Sequence, residues 1–345
     1  MVSKVKRDWD RALRFGEQSV GHASDGTEHG GSIPIKRNPF AYLLYPALFG
    51  GGMLIWALMW KQGGWYVGTA GRTIVYWAYL AVLLMLQRLR PFEPAWNRSD
   101  GQVVNDIALT LLEMFVVPPL SIVALAAFVR MIGRYQLLIS FKVWPTHWPA
   151  FVQIIVGIIV YDFGNYLAHR WSHTVPFLWR FHAVHHSAGR LSVLNAGRTH
   201  PIDAFKYTVI GSPIPVLLGV PGEIAVWYGG VLMFGGLLTH CNIDMPCGAL
   251  NYILNTPDQH RWHHSRIQPE TDTNYGEATM LWDLLLGTFF HPDRHPPIDV
   301  GVDVPVSANL IQQLIQPLTL VGHRPGQRTI PALPRGDAGI HTIRP

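Results

Sequence analysis

Three histidine motifs decide the fold of this chain: HRWSH at 169–173, HAVHH at 182–186 and HRWHH at 260–264. Residues three and four apart lie on the same face of an α-helix, because each residue turns the helix by about 100°. The spacing therefore predicts three helices that each present two or three imidazoles on one side. Two single histidines, at 200 and 240, lie between the second and third motifs, so that ten of the 17 histidines fall within this stretch.

Imidazoles at this spacing indicate metal ligands. Neutral imidazole is the commonest metal-binding side chain and suits iron, zinc, copper and nickel. A zinc ion takes three or four protein ligands, and the motifs offer more than one ion can use, so we predict two metal ions. For His200 and His240, each taken alone, an ordinary buried histidine is the alternative interpretation. The candidate metal ligands are His169, His173, His182, His185, His186, His200, His240, His260, His263 and His264.

The composition is typical of a membrane protein. Of the 345 residues, 49% are hydrophobic and only 14% are charged, whereas soluble domains carry about 25% charged residues. The net charge of +5 comes from scattered basic residues, which fits anionic lipid headgroups better than a nucleic-acid surface. We therefore predict a membrane protein with no nucleic-acid partner. The two cysteines, Cys241 and Cys247, form neither a CxxC motif nor a disulfide framework.

Apolar segments upstream of the histidines predict about four transmembrane helices. A helix that rises about 1.5 Å per residue needs roughly 20 apolar residues to cross a hydrocarbon core of ~30 Å. Glu113 and the Pro118-Pro119 pair interrupt the third segment, which predicts a kink or a dip into the bilayer. Two shorter runs within 207–238 are broken by prolines and predict a re-entrant or interfacial hairpin. The four long segments cover residues 40–60, 65–87, 107–129 and 148–160.

The fourth segment is expected to continue as one helix into the first histidine motif. Asp162 precedes His169 by seven residues and Asn165 precedes it by four, so both share a helix face with that ligand. A buried carboxylate there can accept an imidazole N–H and fix the orientation of the ring. Asp162 and Asn165 are therefore our candidate catalytic residues besides the ligands. A helix cap or a charge near the membrane surface is the alternative for Asp162.

These features predict four parts of the chain. Residues 1–39 form a polar cytosolic leader without a secretory signal, residues 40–160 the transmembrane helices, residues 161–292 the histidine-rich catalytic domain and residues 293–345 a proline-rich tail. Four crossings from a cytosolic leader return the chain to the cytosol where the histidines begin. The predicted fold is an all-α integral membrane protein with about four transmembrane helices and a cytosolic helical cap that holds a His-rich dimetal site. The absence of a retention signal favours a bacterial inner membrane over the endoplasmic reticulum.

With these motifs in view, the sequence resembles the fatty acid hydroxylase and sterol desaturase superfamily of integral-membrane di-iron enzymes, over roughly residues 162–292. The order and the spacing of the motifs agree with that superfamily. Some members carry a further histidine four residues before the intermediate one, where this chain has Gly236. The motifs are DFGNYLAHRWSH at 162–173, FHAVHHS at 181–187, THPID at 199–203, THCNID at 239–244, TPDQHRWHHS at 256–265, NYG at 274–276 and WDLLLGTFF at 282–290.

The resemblance implies a mechanism and its requirements. The nine candidate histidines other than His200 would ligate two non-heme iron ions, and Gly236 would leave one coordination position to His200, to water or to substrate. The enzyme would use O2 and two electrons from a separate cytochrome b5-type or ferredoxin/reductase donor to hydroxylate a C–H bond of a membrane lipid. A fatty acyl chain, a sterol or other isoprenoid, a carotenoid or an aminolipid fits that description. Desaturation of a lipid at the same site is the alternative reaction.

Two other classes of protein fit parts of the pattern. A membrane zinc hydrolase could use Asp203, Asp258 or Glu277 as a general base, but the HExxH motif of such enzymes is absent from the sequence. A transporter or sensor would bind metal without catalysis. Transporters carry polar residues in the middle of several spans, whereas Glu113 stands nearly alone here. The residues therefore favour the oxygenase over both.

Overall fold

The computed structural model describes residues 39–63, 69–134, 143–302 and 306–319. The predicted leader up to residue 38 and the end of the predicted tail lie outside the described residues. Within the described ranges the chain forms helices and turns, with isolated β-bridges and no strand. The predicted all-α fold is therefore confirmed.

The helices include long apolar ones and short ones, and most of the short ones carry a proline in their first turn. A proline suits the first turn of a helix, because its fixed φ matches the helix and its missing N–H would have no partner there. The helices are α1 (Leu44–Gly63, preceded by a 3₁₀ turn at Pro39–Leu43), α2 (Thr69–Leu89), α3 (Val103–Phe115), α4 (Val117–Arg134), α5 (Ala150–Thr174), α6 (Pro176–His186), α7 (Pro201–Lys206), α8 (Pro213–Leu217), α9 (Gly222–His240), α10 (Pro257–His263), α11 (Gln268–Thr271), α12 (Leu281–Leu286) and α13 (Leu310–Thr319).

Five stretches of the described chain are long and apolar enough to cross a membrane, where the sequence predicted about four. Together they are typical of a multi-pass membrane protein. The third stretch comprises α3 and α4, which the chain separates at Val116. Pro118 and Pro119 lie in the first turn of α4, so the interruption falls where the sequence predicted a kink. The stretches are Pro39–Lys61, Ala70–Leu89, Val103–Arg134, Ala150–Thr174 and Gly222–His240.

The segment predicted as a hairpin, 207–238, has a different structure. It contains a π-helical turn at Tyr207–Gly211, the short helix α8 and most of α9. The prolines that suggested an interruption lie before α9, since Pro213 begins α8 and Pro221 is the residue that precedes α9. Helix α9 then runs for 19 residues without a break. The second half of the expected hairpin is therefore a helix of spanning length.

Helix α5 lies at the centre of the structure and packs against α6, α8, α9 and the π-helical turn. Its contact with that turn is close because two glycines meet there. A Cβ atom on Gly164 would lie 2.2 Å from the carbonyl oxygen of Gly211. The absence of side chains at both positions therefore sets the distance between α5 and the turn.

An aromatic core fixes α9 against α1 and α2. The ring of Phe234 makes edge contacts with Trp56 and with Tyr79, at centroid distances of 6.3 and 4.9 Å. Buried Gln87, near the end of α2, accepts hydrogen bonds from the backbone N–H groups of Val193 (2.8 Å) and Asn242 (2.9 Å). These contacts hold the segments on both sides of His240 in place.

Candidate metal centre

Nine of the ten candidate ligands converge into two buried groups. Within each group, one possible ligand atom per residue lies within 4.8 Å of all the others. The five-histidine group consists of His169, His173, His182, His186 and His263. The four-histidine group consists of His185, His240, His260 and His264.

The HxxHH motifs explain why the groups lie side by side. Helix α6 gives His182 and His186, which are four residues apart, to the five-histidine group and gives His185 to the other. In the α10 motif this assignment is reversed, since His260 and His264 belong to the four-histidine group and His263 to the five-histidine group. Relative to residue i, residue i+4 is turned by about 40° to one side and residue i+3 by about 60° to the other, so the rings of i+3 and i+4 diverge although both lie near residue i. Each motif therefore serves both groups.

The ring nitrogens of the five-histidine group face one another. The Nε2 atom of His182 lies 3.1 Å from Nε2 of His169 and 3.1 Å from Nε2 of His186. The Nδ1 atoms of His169 and His182 face the carbonyl oxygen of Tyr275 (2.9 Å) and a carboxylate oxygen of Asp203 (2.9 Å). Because those acceptors require Nδ1 to carry the proton, Nε2 of both rings presents a lone pair. A cation between these lone pairs would relieve their repulsion.

The four-histidine group has the same arrangement. Nε2 of His260 lies 2.7 Å from Nε2 of His240 and 3.0 Å from Nε2 of His264. Nδ1 of His240 faces the side-chain oxygen of Asn195 at 3.2 Å, so its Nε2 atom also presents a lone pair to the group. The donor set therefore fits a second metal ion.

Unpartnered buried nitrogens give independent support for bound metal. Nδ1 of His173 faces Asp272 (3.3 Å) and Nδ1 of His263 faces the carbonyl oxygen of Thr273 (2.8 Å). The Nε2 atoms of both rings are buried and have no hydrogen-bond partner within the described part of the chain. A buried acceptor without a donor costs about 1–3 kcal/mol. A metal ion would supply the missing partner.

Burial also keeps the imidazoles in the form that binds metal. Loss of contact with water disfavours the charged ring, and it lowers the pKa of each ligand outside the spanning helices well below the usual value of 6.5. These ligands are therefore neutral at pH 7. They are His182, His185, His186, His260, His263 and His264.

Asp162 and Asn165 lie elsewhere than expected. The carboxylate of Asp162 accepts hydrogen bonds from the backbone N–H groups of Ala278 (2.8 Å) and Thr279 (3.0 Å), and Asn165 donates to the hydroxyl of Tyr228 (2.9 Å). The expected hydrogen bond between Asp162 and an imidazole is not formed. Seven residues along a helix amount to about 10 Å, so Asp162 shares the face of the first ligand but lies two turns away from it.

His200 belongs to neither group. Its Nδ1 atom accepts a hydrogen bond from the backbone N–H of Ile202 (3.1 Å), and its Nε2 atom donates to the carbonyl oxygen of Leu314 (3.1 Å). With both ring nitrogens engaged by the backbone, the ring caps the start of α7 and contacts α13. Its position corresponds to the alternative interpretation of an ordinary buried histidine.

The NYG and WD motifs form one loop that faces the centre. The carboxylate of Asp283 accepts hydrogen bonds from the backbone N–H groups of Tyr275 (2.8 Å) and Gly276 (2.8 Å). Asn274 donates to the carbonyl oxygens of Gln259 (3.2 Å) and Phe290 (2.8 Å). The loop is thereby tied to α10, and it presents its carbonyl oxygen to His169.

Three carboxylates contact the five-histidine group from outside. Asp203 lies 2.9 Å from His182, Glu277 lies 3.1 Å from His169, and Asp272 contacts His173. Asp203 and Glu277 were predicted as candidate bases of a hydrolase, Asp203 also lies in the THPID motif, and no signal in the sequence pointed to Asp272. Nothing local in the sequence pairs these carboxylates with the imidazoles, because only the fold brings α7 and the loop after α11 to the ends of α5 and α6.

The helices of spanning length and the paired histidine groups define a class: integral membrane proteins with a histidine-ligated metal centre. The family model described as fatty acid hydroxylase matches residues 154–288, which include every ligand of both groups. An ornithine lipid hydroxylase, OlsE of Rhizobium tropici, is 41% identical over 253 residues, covering 73% of this chain and 76% of the relative. The chain therefore belongs to the fatty acid hydroxylase family, within the superfamily that the motifs resembled.

More distant relatives are also lipid-modifying enzymes. Alkylglycerol monooxygenase of Danio rerio is 30% identical over 201 residues, which make up 56% of this chain and 43% of the relative. The fatty acid hydroxylase vlmA of a Lecanicillium species is 28% identical over 171 residues, 44% of this chain and 46% of the relative. The chain thus spans under half the length of these two relatives. No solved structure matches it.

Proposed function

We propose that this protein is a membrane-bound di-iron monooxygenase that hydroxylates an unactivated C–H bond of a lipid. The balanced reaction is R–H + O2 + 2 e⁻ + 2 H⁺ → R–OH + H2O, with the electrons supplied by a separate cytochrome b5-type or ferredoxin/reductase donor. The observation that carries the proposal is the pair of adjacent groups of five and four buried imidazoles. The rings of His186 and His264, one from each group, stack at a centroid distance of 4.3 Å, so the two ions would be neighbours.

Iron is the metal we propose because the reaction needs redox chemistry. Zinc has no accessible second oxidation state, whereas iron bound by imidazole can accept the donor's electrons and activate O2. The contacts of the carboxylates also speak against a hydrolase. Of its three candidate bases, Asp203 and Glu277 are engaged by imidazoles of the five-histidine group, and Asp258 forms an ion pair with Arg261 (2.9 Å). The protein's own contribution is to hold nine buried imidazoles in place for the ions and to exclude water.

The position of the ligands suits a substrate that enters from the bilayer. Helix α5 carries His169 and His173 in its last two turns, and α9 ends at His240. Both helices are of spanning length, so the centre would lie where they leave the membrane. We propose that it faces the cytoplasm of a bacterial inner membrane, which the relative from Rhizobium tropici supports.

The relatives guide the choice of reaction and of first substrate. Their names include an ornithine lipid hydroxylase, a fatty acid hydroxylase and a monooxygenase of alkylglycerols, so we propose hydroxylation rather than desaturation. The most similar of these three acts on an ornithine lipid, and an aminolipid of that type is therefore the first substrate to test.

The test combines metal analysis with lipid mass spectrometry on detergent-purified protein. We expect two irons per chain, reductant-dependent O2 uptake and the gain of one oxygen atom by an added ornithine lipid. A His182→Ala/His263→Ala variant should lose iron and activity, whereas His147→Ala, at an exposed histidine outside both groups, should keep them. Loss of two hydrogens from the lipid would identify a desaturase instead. Bound zinc without O2 uptake would refute the oxygenase.

A further inference from the structure

We propose that the two metal positions are unequal, and that Asp203 and Glu277 make the five-histidine position the one that binds its ion first and more tightly. This inference rests on the proposed function, because it takes both groups as iron sites. It assigns the two carboxylates as positioning residues that act on the metal through His182 and His169.

The first observation is the charge behind the five-histidine group. The Nδ1 atom of His182 lies 2.9 Å from a carboxylate oxygen of Asp203. Nδ1 of His169 lies 3.1 Å from a carboxylate oxygen of Glu277, which shares this N–H with the carbonyl oxygen of Tyr275 (2.9 Å). The side chain of Asp203 is only 2% exposed, so water hardly screens its charge. A carboxylate that accepts the imidazole N–H makes the other ring nitrogen a stronger metal ligand.

The second observation is that the partners of the four-histidine group are neutral. Nδ1 of His185 faces the backbone carbonyl oxygen of Arg198 at 3.3 Å, and Nδ1 of His240 faces the amide oxygen of Asn195. The Nδ1 atoms of the other two rings have no hydrogen-bond partner among the described residues. Glu277 acts on His240 only at longer range. The difference between the groups is therefore one of charge, as well as of ligand number.

A lysine limits the charge behind the tighter group. The Nζ atom of Lys206 lies 2.5 Å from Asp203 and 3.4 Å from Nδ1 of His182. The hydroxyl of the next residue, Tyr207, donates to Glu277 at 2.6 Å. Both residues lie where α7 passes into the π-helical turn. With Asp272 included, three carboxylates stand against one ammonium, so the surroundings of this group keep a net negative charge.

The experiment is an anaerobic titration of metal-free protein with Fe²⁺, and in parallel with Co²⁺, whose visible spectrum reports ligand binding without turnover. The wild type should bind two ions in two separate steps. Asp203→Asn and Glu277→Gln keep the acceptor oxygen but remove the charge, and each should weaken the tight step by about 10–100-fold. The weak step should be unchanged in both variants. His240→Ala should abolish the weak step alone, which assigns the steps to the groups.

Asn195→Asp is the converse variant, since it places a charge behind His240 and should tighten the weak step. Equal affinities for both ions in the wild type would refute the proposal, as would an unchanged tight step in Asp203→Asn and Glu277→Gln. If Asp203→Asn binds no ion at all, it has failed to fold, and Glu277→Gln then decides. Two unequal steps without lipid hydroxylation would refute the proposed function only. Hydroxylation with two equal steps would refute this inference only.

Discussion

The buried ion pair between Arg198 and Asp106 should contribute strongly to the stability of the fold around the metal ligands. Arg198 donates to Asp106 at 2.7 Å, and the two side chains are only 3% and 1% exposed. The same guanidinium donates to the carbonyl oxygen of Val184 (3.1 Å) and to the hydroxyl of Ser187 (3.1 Å). It thereby joins α3 to the end of α6, where three of the ligands lie. We expect Arg198→Met to loosen that junction.

The magnitude follows from what the substitution leaves behind. Removing one partner of a buried ion pair costs about 3–5 kcal/mol, because the remaining charge stays buried without compensation. Arg198→Met also removes the hydrogen bonds to Val184 and Ser187, but the hydroxyl of Ser187 still donates to the Val184 carbonyl oxygen (2.7 Å), so we expect a loss of about 3–5 kcal/mol. In the double variant with Asp106→Leu no buried charge is left, and at least about 2 kcal/mol should be recovered.

The assay is reversible unfolding in mixed detergent micelles with a rising SDS fraction, followed by tryptophan fluorescence. Arg90→Met is the matched control, because Arg90 pairs with Asp244 at 3.3 Å but its side chain is 41% exposed. An exposed pair contributes only about 0–1 kcal/mol. If Arg198→Met costs no more than Arg90→Met, or if the double variant recovers nothing, the reasoning is wrong.

Two further predictions concern pH and packing. In metal-free protein the pKa values of His182 and His264 lie well below 6.5, so below about pH 6.5 the unfolded chain binds more protons than the folded one. Each ring should therefore lower the unfolding free energy by about 1.4 kcal/mol for each pH unit below 6.5. An unfolding free energy that does not change between pH 7.5 and 5.5 would contradict this. Gly164→Ala places a methyl group 2.2 Å from the backbone of Gly211 and should lower the free energy of unfolding by about 1–3 kcal/mol. Gly229 has open space around it, so Gly229→Ala should stabilise α9 by up to about 1 kcal/mol. Equal melting temperatures for these two alanine variants would refute the packing argument.

The ligands could be predicted from the sequence because their information is local. Residues such as His182 and His186 share a helix face whatever surrounds the helix, and spacing alone reports this. Spacing alone could not predict that His185 joins His260 and His264 of the α10 motif rather than His182 and His186, because those residues meet only in the folded chain. The same limit applies to Asp162. Its helix face could be predicted from the spacing, but its partners Ala278 and Thr279 lie in a loop that only the fold brings beside that turn of α5.

The hydrogen-bond partners of the ligands could not be predicted for a related reason. Asp203 and Glu277 reach their imidazoles across the interior, and no periodic pattern links residues that meet only through tertiary packing. Helix α9 was shortened in the prediction because Pro213 and Pro221 were taken as interruptions. In the structure they lie ahead of the helix, where proline costs nothing.

Because the α10 motif is divided between both groups, the metal centre can form only late in the synthesis of the chain. His263 completes one group, while His260 and His264 complete the other, so neither group exists until this last motif has been synthesised. All five stretches of spanning length precede this motif in the sequence, so they are synthesised before either group can form. Metal would therefore be taken up by a chain whose membrane-spanning part has already been made. When the metal is scarce, we expect cells to accumulate inserted protein that awaits both ions.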